Sequence, residues 1–249
     1  MKKGSKNSIR ILSPTAILGY GFPEESFQRG LAKEPDVIAV DAGSVDPGPY
    51  YLGAGVSFTD RAAVKRDLKF MLRAGKELDI PVIVGSAGGS GAKVHLDWTV
   101  DIISEIARQE GISLKVALIN AEFEKDLIKK KYQEGLIKPL FPLNGLSISD
   151  IESSTRVVGQ MGLEPIVKAL KEEVDLVIAG RAYDPSIFAA PAVKEGFSPG
   201  LALHMGKILE CASIAADPGS GSDCMLGTLF KDNFILEPLN NRRRCTVTS

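Results

Sequence analysis

Five short runs rich in Val, Ile and Leu, at residues 9–12, 36–40, 81–84, 114–119 and 175–179, alternate with longer stretches of helical period. The runs lack polar alternation, the pattern of strands covered on both faces. Strand–helix alternation of this kind predicts an α/β fold: a mostly parallel, doubly wound (Rossmann-like) sheet with helices on both faces.

Helices are expected at 23–32, 60–78, 94–109, 122–133 and 163–173. Pro23 with Glu24 and Glu25 suits a first turn, Thr59 is placed to cap the second helix, and Gly111 and Gly135 suit stops. Residues 135–153, with Pro139, Pro142 and Gly145, read as a long connection. Beyond Gly180 the pattern changes: 184–194 and 201–215 look helical, while 234–236 and 246–248 look like short strands. The expectation is one α/β domain over 1–249, with a core at about 8–197 and a C-terminal α+β extension at 198–249.

With 44% hydrophobic and 24% charged residues, a sizeable core can be buried. Thirty basic residues against 31 acidic ones give a net charge of −1, so no global field favours nucleic acid or an anionic membrane. Lys129–Lys131 and Arg242–Arg244 read as solvated faces. Cys211, Cys224 and Cys245 lack the spacing of a disulfide framework or a structural zinc site. No signal-like or membrane-spanning run occurs, and a cytoplasmic location is the expectation.

Chemistry is expected at the strand ends, because the carboxyl termini of parallel strands share one edge of the sheet. Gly19 and Gly21 follow the first run and are a fragment of a dinucleotide fingerprint. Asp41, Ser44 and Asp46 follow the second; two carboxylates in a restricted loop suit acid–base work or a divalent metal, and Asx turns explain them equally well. Ser86, Gly88, Gly89, Ser90 and Gly91 follow the third and precede a helix, so their amides are candidates to cradle a phosphate or carboxylate. The spacing is not that of a Walker A loop. His95, just inside that helix, is a candidate base or a helix-surface residue. Asn120 and Glu122 follow the fourth run. Arg181 follows the fifth and can hold an anion bidentately, while Asp184 reads as a cap for the next helix. His204, Lys207 and Cys211 share a helix face read as plain polar surface. Cys224 is a conceivable nucleophile without a fixed histidine nearby.

The motifs DAGSVDPGPYYLG, VGSAGGSGA, AGRAYDPSIFAA, HMGKILE and PGSGSDCMLGT, in that order, resemble the acyclic terpene utilisation (AtuA-like) family. The resemblance implies a catabolic protein, of lyase or hydratase type, acting on a small carboxylate or branched acyl-CoA thioester. It supplies no catalytic residues. It also implies further structure beyond Ser249, where this chain closes. Combined with the residues above, the expected enzyme binds its anion through the glycine loops and Arg181. Asp41, Asp46, His95 or Glu122 moves protons, with a divalent metal as a candidate cofactor. An identical copy or a distinct subunit is the expected protein partner. Two rivals stand beside this: a ligand-binding subunit that needs a partner chain for activity, and a nucleotide-dependent enzyme.

Overall fold

The computed structural model describes residues 6–143 and 145–249. Seven strands form one mixed sheet in the order β4-β5-β3-β2-β1-β6-β7. The five expected runs become β1 (Ile9–Ser13), β2 (Val37–Asp41), β3 (Val82–Gly85), β4 (Val116–Ile119) and β5 (Leu176–Ala179). All pairings among them are parallel. The expected fold class is what forms: α/β, mostly parallel, with helices on both faces.

The alternation of strand side chains divides the interior in two. Ile38 and Val40 of β2, Val82 and Val84 of β3, and Ile178 of β5 point to a core closed by α1 (Glu24–Leu31), α3 (Arg61–Leu78) and α4 (Lys93–Glu110). Their neighbours Val37, Ala39, Ile83 and Val177 point to the opposite core. That second core is closed by α7 (Glu164–Leu170), α8 (Ser186–Lys194) and α9 (Pro199–Leu209). The chain therefore leaves β3 toward one face and leaves its neighbour β5 toward the other. This reversal opens a crevice at the carboxyl ends of the two strands, where open α/β sheets bind ligands.

The C-terminal part extends the same sheet. β6 (Met225–Leu229) lies antiparallel to β1, with Ile9 opposite Leu229 and Ser13 opposite Met225, and β7 (Phe234–Pro238) lies antiparallel to β6. The β6 segment is not among the expected strands, and Gly227 interrupts its apolar run. That glycine is needed for space: a Cβ there would lie 2.8 Å from both Leu209 Cδ1 and Met205 Sδ of α9.

Several local expectations need correction. Asp60, not Thr59, caps α3, accepting from the amides of Ala62 and Ala63 at 2.9 and 3.0 Å. The 201–215 helix breaks after Leu209, where Ala212 adopts a left-handed φ of 46° and a short 3₁₀ turn, Ala212–Ala215, follows. The 246–248 segment is a turn rather than a strand; the hydroxyl of Thr246 accepts from the amides of Thr248 and Ser249, a local alternative to pairing. The 135–153 connection contains a helix, α6 (Ile148–Ser153), started by a Ser147–Asp150 capping box. Two further helices are α2 (Tyr50–Ala54), unforeseen in the sequence, and α5 (Lys125–Gln133). Among the described residues, no helix is long and apolar enough to cross a membrane.

The loops after β3 and β5 lie against each other with almost no room. A Cβ on Gly91 would sit 2.0 Å from Arg181 N, and Gly91 holds φ at +71°. Gly135 has a similar φ of +73° but open space around it. Gly135→Ala is therefore expected to cost about 1 kcal/mol from backbone strain alone. Gly91→Ala should cost about 3 kcal/mol, because steric displacement adds to strain. Paired chemical denaturations measure both; equal losses would contradict the close approach.

Candidate functional site

The crevice is bounded by the junctions after β2, β3 and β5. Their backbones are tied together: Ser86 N donates to Gly180 O at 3.1 Å, Ala87 N to Ala179 O at 3.0 Å, and Arg181 N to Gly91 O at 3.2 Å. On the other side, Ala42 N donates to Gly85 O at 2.9 Å. Ser86 sits at a left-handed φ of 46°, and its hydroxyl accepts from Ala182 N at 3.3 Å.

Three carboxylates meet here. One oxygen from each of Asp41, Asp184 and Glu210 lies within 4.8 Å of the others. Asp41 closes β2 and is 3% exposed; Asp184 follows β5; Glu210 is carried by the break at the end of α9. Burial, and then the charge of Asp184, push the Asp41 carboxyl well above the usual carboxylate range, against the pull of Arg181. Burial and Asp184 also raise Glu210, while its ion pair with Lys207 opposes them. The Cys211 thiol, 3.9 Å from Glu210, is raised by burial and by that carboxylate. Arg181, 6% exposed, directs Nη2 to Gly89 O at 2.6 Å.

Beside this cluster lies a cleft of about 350 Å³ lined by Ser44, Pro49, Leu52, Ser90, Val158 and Arg181, among others. Arg181 is common to cleft and cluster. The cleft wall formed by residues 44–54 is held from behind. His95, 1% exposed, places Nε2 3.2 Å from both Tyr51 O and Val56 O, and Arg156 donates to Leu52 O and Gly53 O at 3.1 and 2.6 Å.

The candidates from the sequence thus divide. Asp41, Ser44, Ser86, Ser90 and Arg181 converge on the crevice. Gly88, Gly89 and Gly91 allow close packing there, against His95, Phe58 and Arg181 respectively. The glycine loop is not an open anion cradle on most of its amides, since those of Ser86, Ala87, Gly89 and Gly91 all donate to carbonyls of the chain. Gly19 and Gly21 do bind an anion, but it is the chain's own Asp67, whose Oδ2 accepts both amides at 2.9 and 3.1 Å. Glu122 likewise fills the start of α4, accepting from Lys93 N at 2.8 Å, and Asn120 forms a turn with Glu122. Asp46 is exposed and stands apart from the carboxylate cluster. Cys224 is fully buried, and burial holds its thiol well above the ordinary value. Arg243, from the basic run, is paired with Asp223 at 2.7 Å.

Asp184 and Glu210 were not legible as site residues. Asp184 has the position of a helix cap, yet α8 has no side-chain cap. The signal available was its place in the junction beside Arg181, and for Glu210 its spacing of three from Lys207 on α9.

A model of the acyclic terpene utilisation family protein AtuA matches residues 61–219, which include Arg181, Asp184 and Glu210. No curated protein and no solved structure matches the chain.

The two 3.2 Å contacts of His95 Nε2 fit a neutral ring whose Nε2–H is shared by two carbonyls; its Nδ1 is buried and has no partner among the described residues. Burial lowers its pKa from the ordinary 6.5, with Arg156 acting in the same direction and the two carbonyls and Glu122 opposing. The unfolded chain then takes up this proton first as the pH falls below about 6.5, so stability is lost across that window. Asp41 and Glu210, with raised values, act in the opposite sense, and the His95 share is read as a difference between variants. Between about pH 7 and about pH 5 the melting temperature of His95→Asn should fall less than that of wild type; equal falls would count against the assignment.

Proposed function

Because the chain belongs to the acyclic terpene utilisation family, we propose that it is a catabolic enzyme acting on a small carboxylate or branched acyl-CoA thioester, by C–C cleavage or hydration next to a carbonyl. The observation that carries this reading is the meeting of Asp41, Asp184 and Glu210 near Arg181, whose charge acts on Asp41 and whose side chain also lines a cleft. Chemistry next to a carbonyl needs a group that removes or delivers a proton and a positive group that holds the oxygen where charge gathers. Carboxylates and a guanidinium are such groups, and here they share one crevice.

The cleft supports the substrate class. Pro49, Leu52 and Val158 offer an apolar wall for a branched hydrocarbon, while Ser44, Ser90 and Arg181 offer polar contacts for a carboxylate or thioester oxygen. Its volume of about 350 Å³ suits a small acyl group, leaving a coenzyme A moiety in solvent. A nucleotide-dependent reaction is less favoured, because Asp67 and Glu122 occupy the two backbone sites best suited to a phosphate. A cytoplasmic location accords with this metabolism.

The test is solvent-deuterium exchange. Wild-type protein in D₂O, offered short branched carboxylates and their CoA thioesters, should place deuterium on the carbon next to the carbonyl of at least one of them. Asp184→Asn should slow that exchange by about 100-fold or more. Calorimetric binding with neither exchange nor product would overturn the enzyme reading in favour of a ligand-binding subunit.

A further inference from the structure

A second property of the carboxylate cluster follows from how little of the chain answers its charge. Asp41 is 3% exposed, and its Oδ1 has no hydrogen-bond partner among the described residues. Buried carboxylate oxygens almost always find a donor, so an orphan of this kind points to a group outside the chain. The charge of Arg181 acts on Asp41, yet its Nη2 is committed to Gly89 O. Gly85, directly across the ladder from Asp41, brings no side chain, and the hydroxyl of the next residue, Ser86, reaches Asp41 without satisfying Oδ1. Asp184 and Glu210 each place an oxygen within 4.8 Å of Asp41's and of each other's, adding charge of the same sign.

We propose that Asp41, Asp184 and Glu210 together bind one hard divalent cation, of the Mg²⁺ or Mn²⁺ type. Three carboxylate oxygens from three separate segments are the donors such ions take, with water or a substrate oxygen completing the shell. The nearby Cys211 thiol stands 3.9 Å from Glu210 Oε1 and is not needed as a ligand. Lys207 bonds to Glu210 through a side chain that is 57% exposed, so the ammonium can move into water when the cation enters. Ligands drawn from β2, from the junction after β5 and from the end of α9 would also tie the edge of the sheet to the helices on one of its faces. The site stands on this geometry, independently of the reaction proposed above.

The experiment titrates chelator-treated full-length protein with MnCl₂, reading free Mn²⁺ by electron paramagnetic resonance. One Mn²⁺ per chain is expected, displaced by excess Mg²⁺. Asp184→Asn and Glu210→Gln, each first shown to be folded by its circular dichroism melt, should weaken binding at least about tenfold. Glu210 is half-buried at a helix end, so its variant remains informative if the Asp184 variant misfolds. Absence of stoichiometric binding up to about millimolar Mn²⁺, or binding unchanged in a folded variant, would overturn the site. Binding without deuterium exchange would sink the proposed reaction and leave the cation site standing.

Discussion

The structure depends on one close backbone contact, the crossing of the loops that leave β3 and β5. Gly91 O accepts from Arg181 N, Gly89 O accepts from the Arg181 guanidinium, and a side chain on Gly91 or Gly180 would collide with the facing backbone. These strands are neighbours whose helices depart to opposite faces, so their loops meet at the switch point of the sheet. The glycines let the loops meet, and the meeting fixes Arg181 and carries the chain on to Asp184. A serine or alanine at these positions would push the loops apart and open the crevice to water.

That contact brings like charges together, and the fold does not fully compensate them. Asp41 is sealed at the end of a fully buried strand, Asp184 arrives from the crossing loop, and Glu210 is delivered by a helix that stops just before it. Elsewhere the chain neutralises its buried carboxylates with care. Asp67 receives two backbone amides and Arg66, and Asp223 receives Arg243 and Asn240. The contrast separates structural acids from those of the crevice, where burial raises Asp41 and Glu210 and favours their neutral forms.

The sheet was legible in the sequence because strands covered on both faces must be largely apolar, and β2, β3 and β5 are, while β1 carries only Arg10 inside its apolar run. β4 was legible as well, although it lies at the sheet edge with Val116 and Leu118 exposed. β6 was not, since Gly227 and the preceding Gly-Ser segment give a loop composition to a strand that needs a glycine for space. Part of the site could be read from position alone: Asp41 ends β2, Ser86 directly follows β3 and Arg181 lies two residues beyond β5. Asp184 and Glu210 could not, because their role arises from a helix break and from a missing cap, neither of which a one-dimensional pattern displays. The glycine motifs misdirected for a physical reason. Free amides in a turn attract an anion, and a folded chain can supply that anion itself, as Asp67 and Glu122 do.

The claim on which the account turns is that a ligand enters at the carboxyl ends of β2, β3 and β5. Crystals grown with a short branched carboxylate such as 3-methylbutanoate test it directly. The account predicts electron density in the cleft, with the ligand's carboxylate toward Ser90 and Arg181 and its branched end against Pro49, Leu52 and Val158. Density confined to another surface, or an empty cleft at saturating ligand, would contradict it.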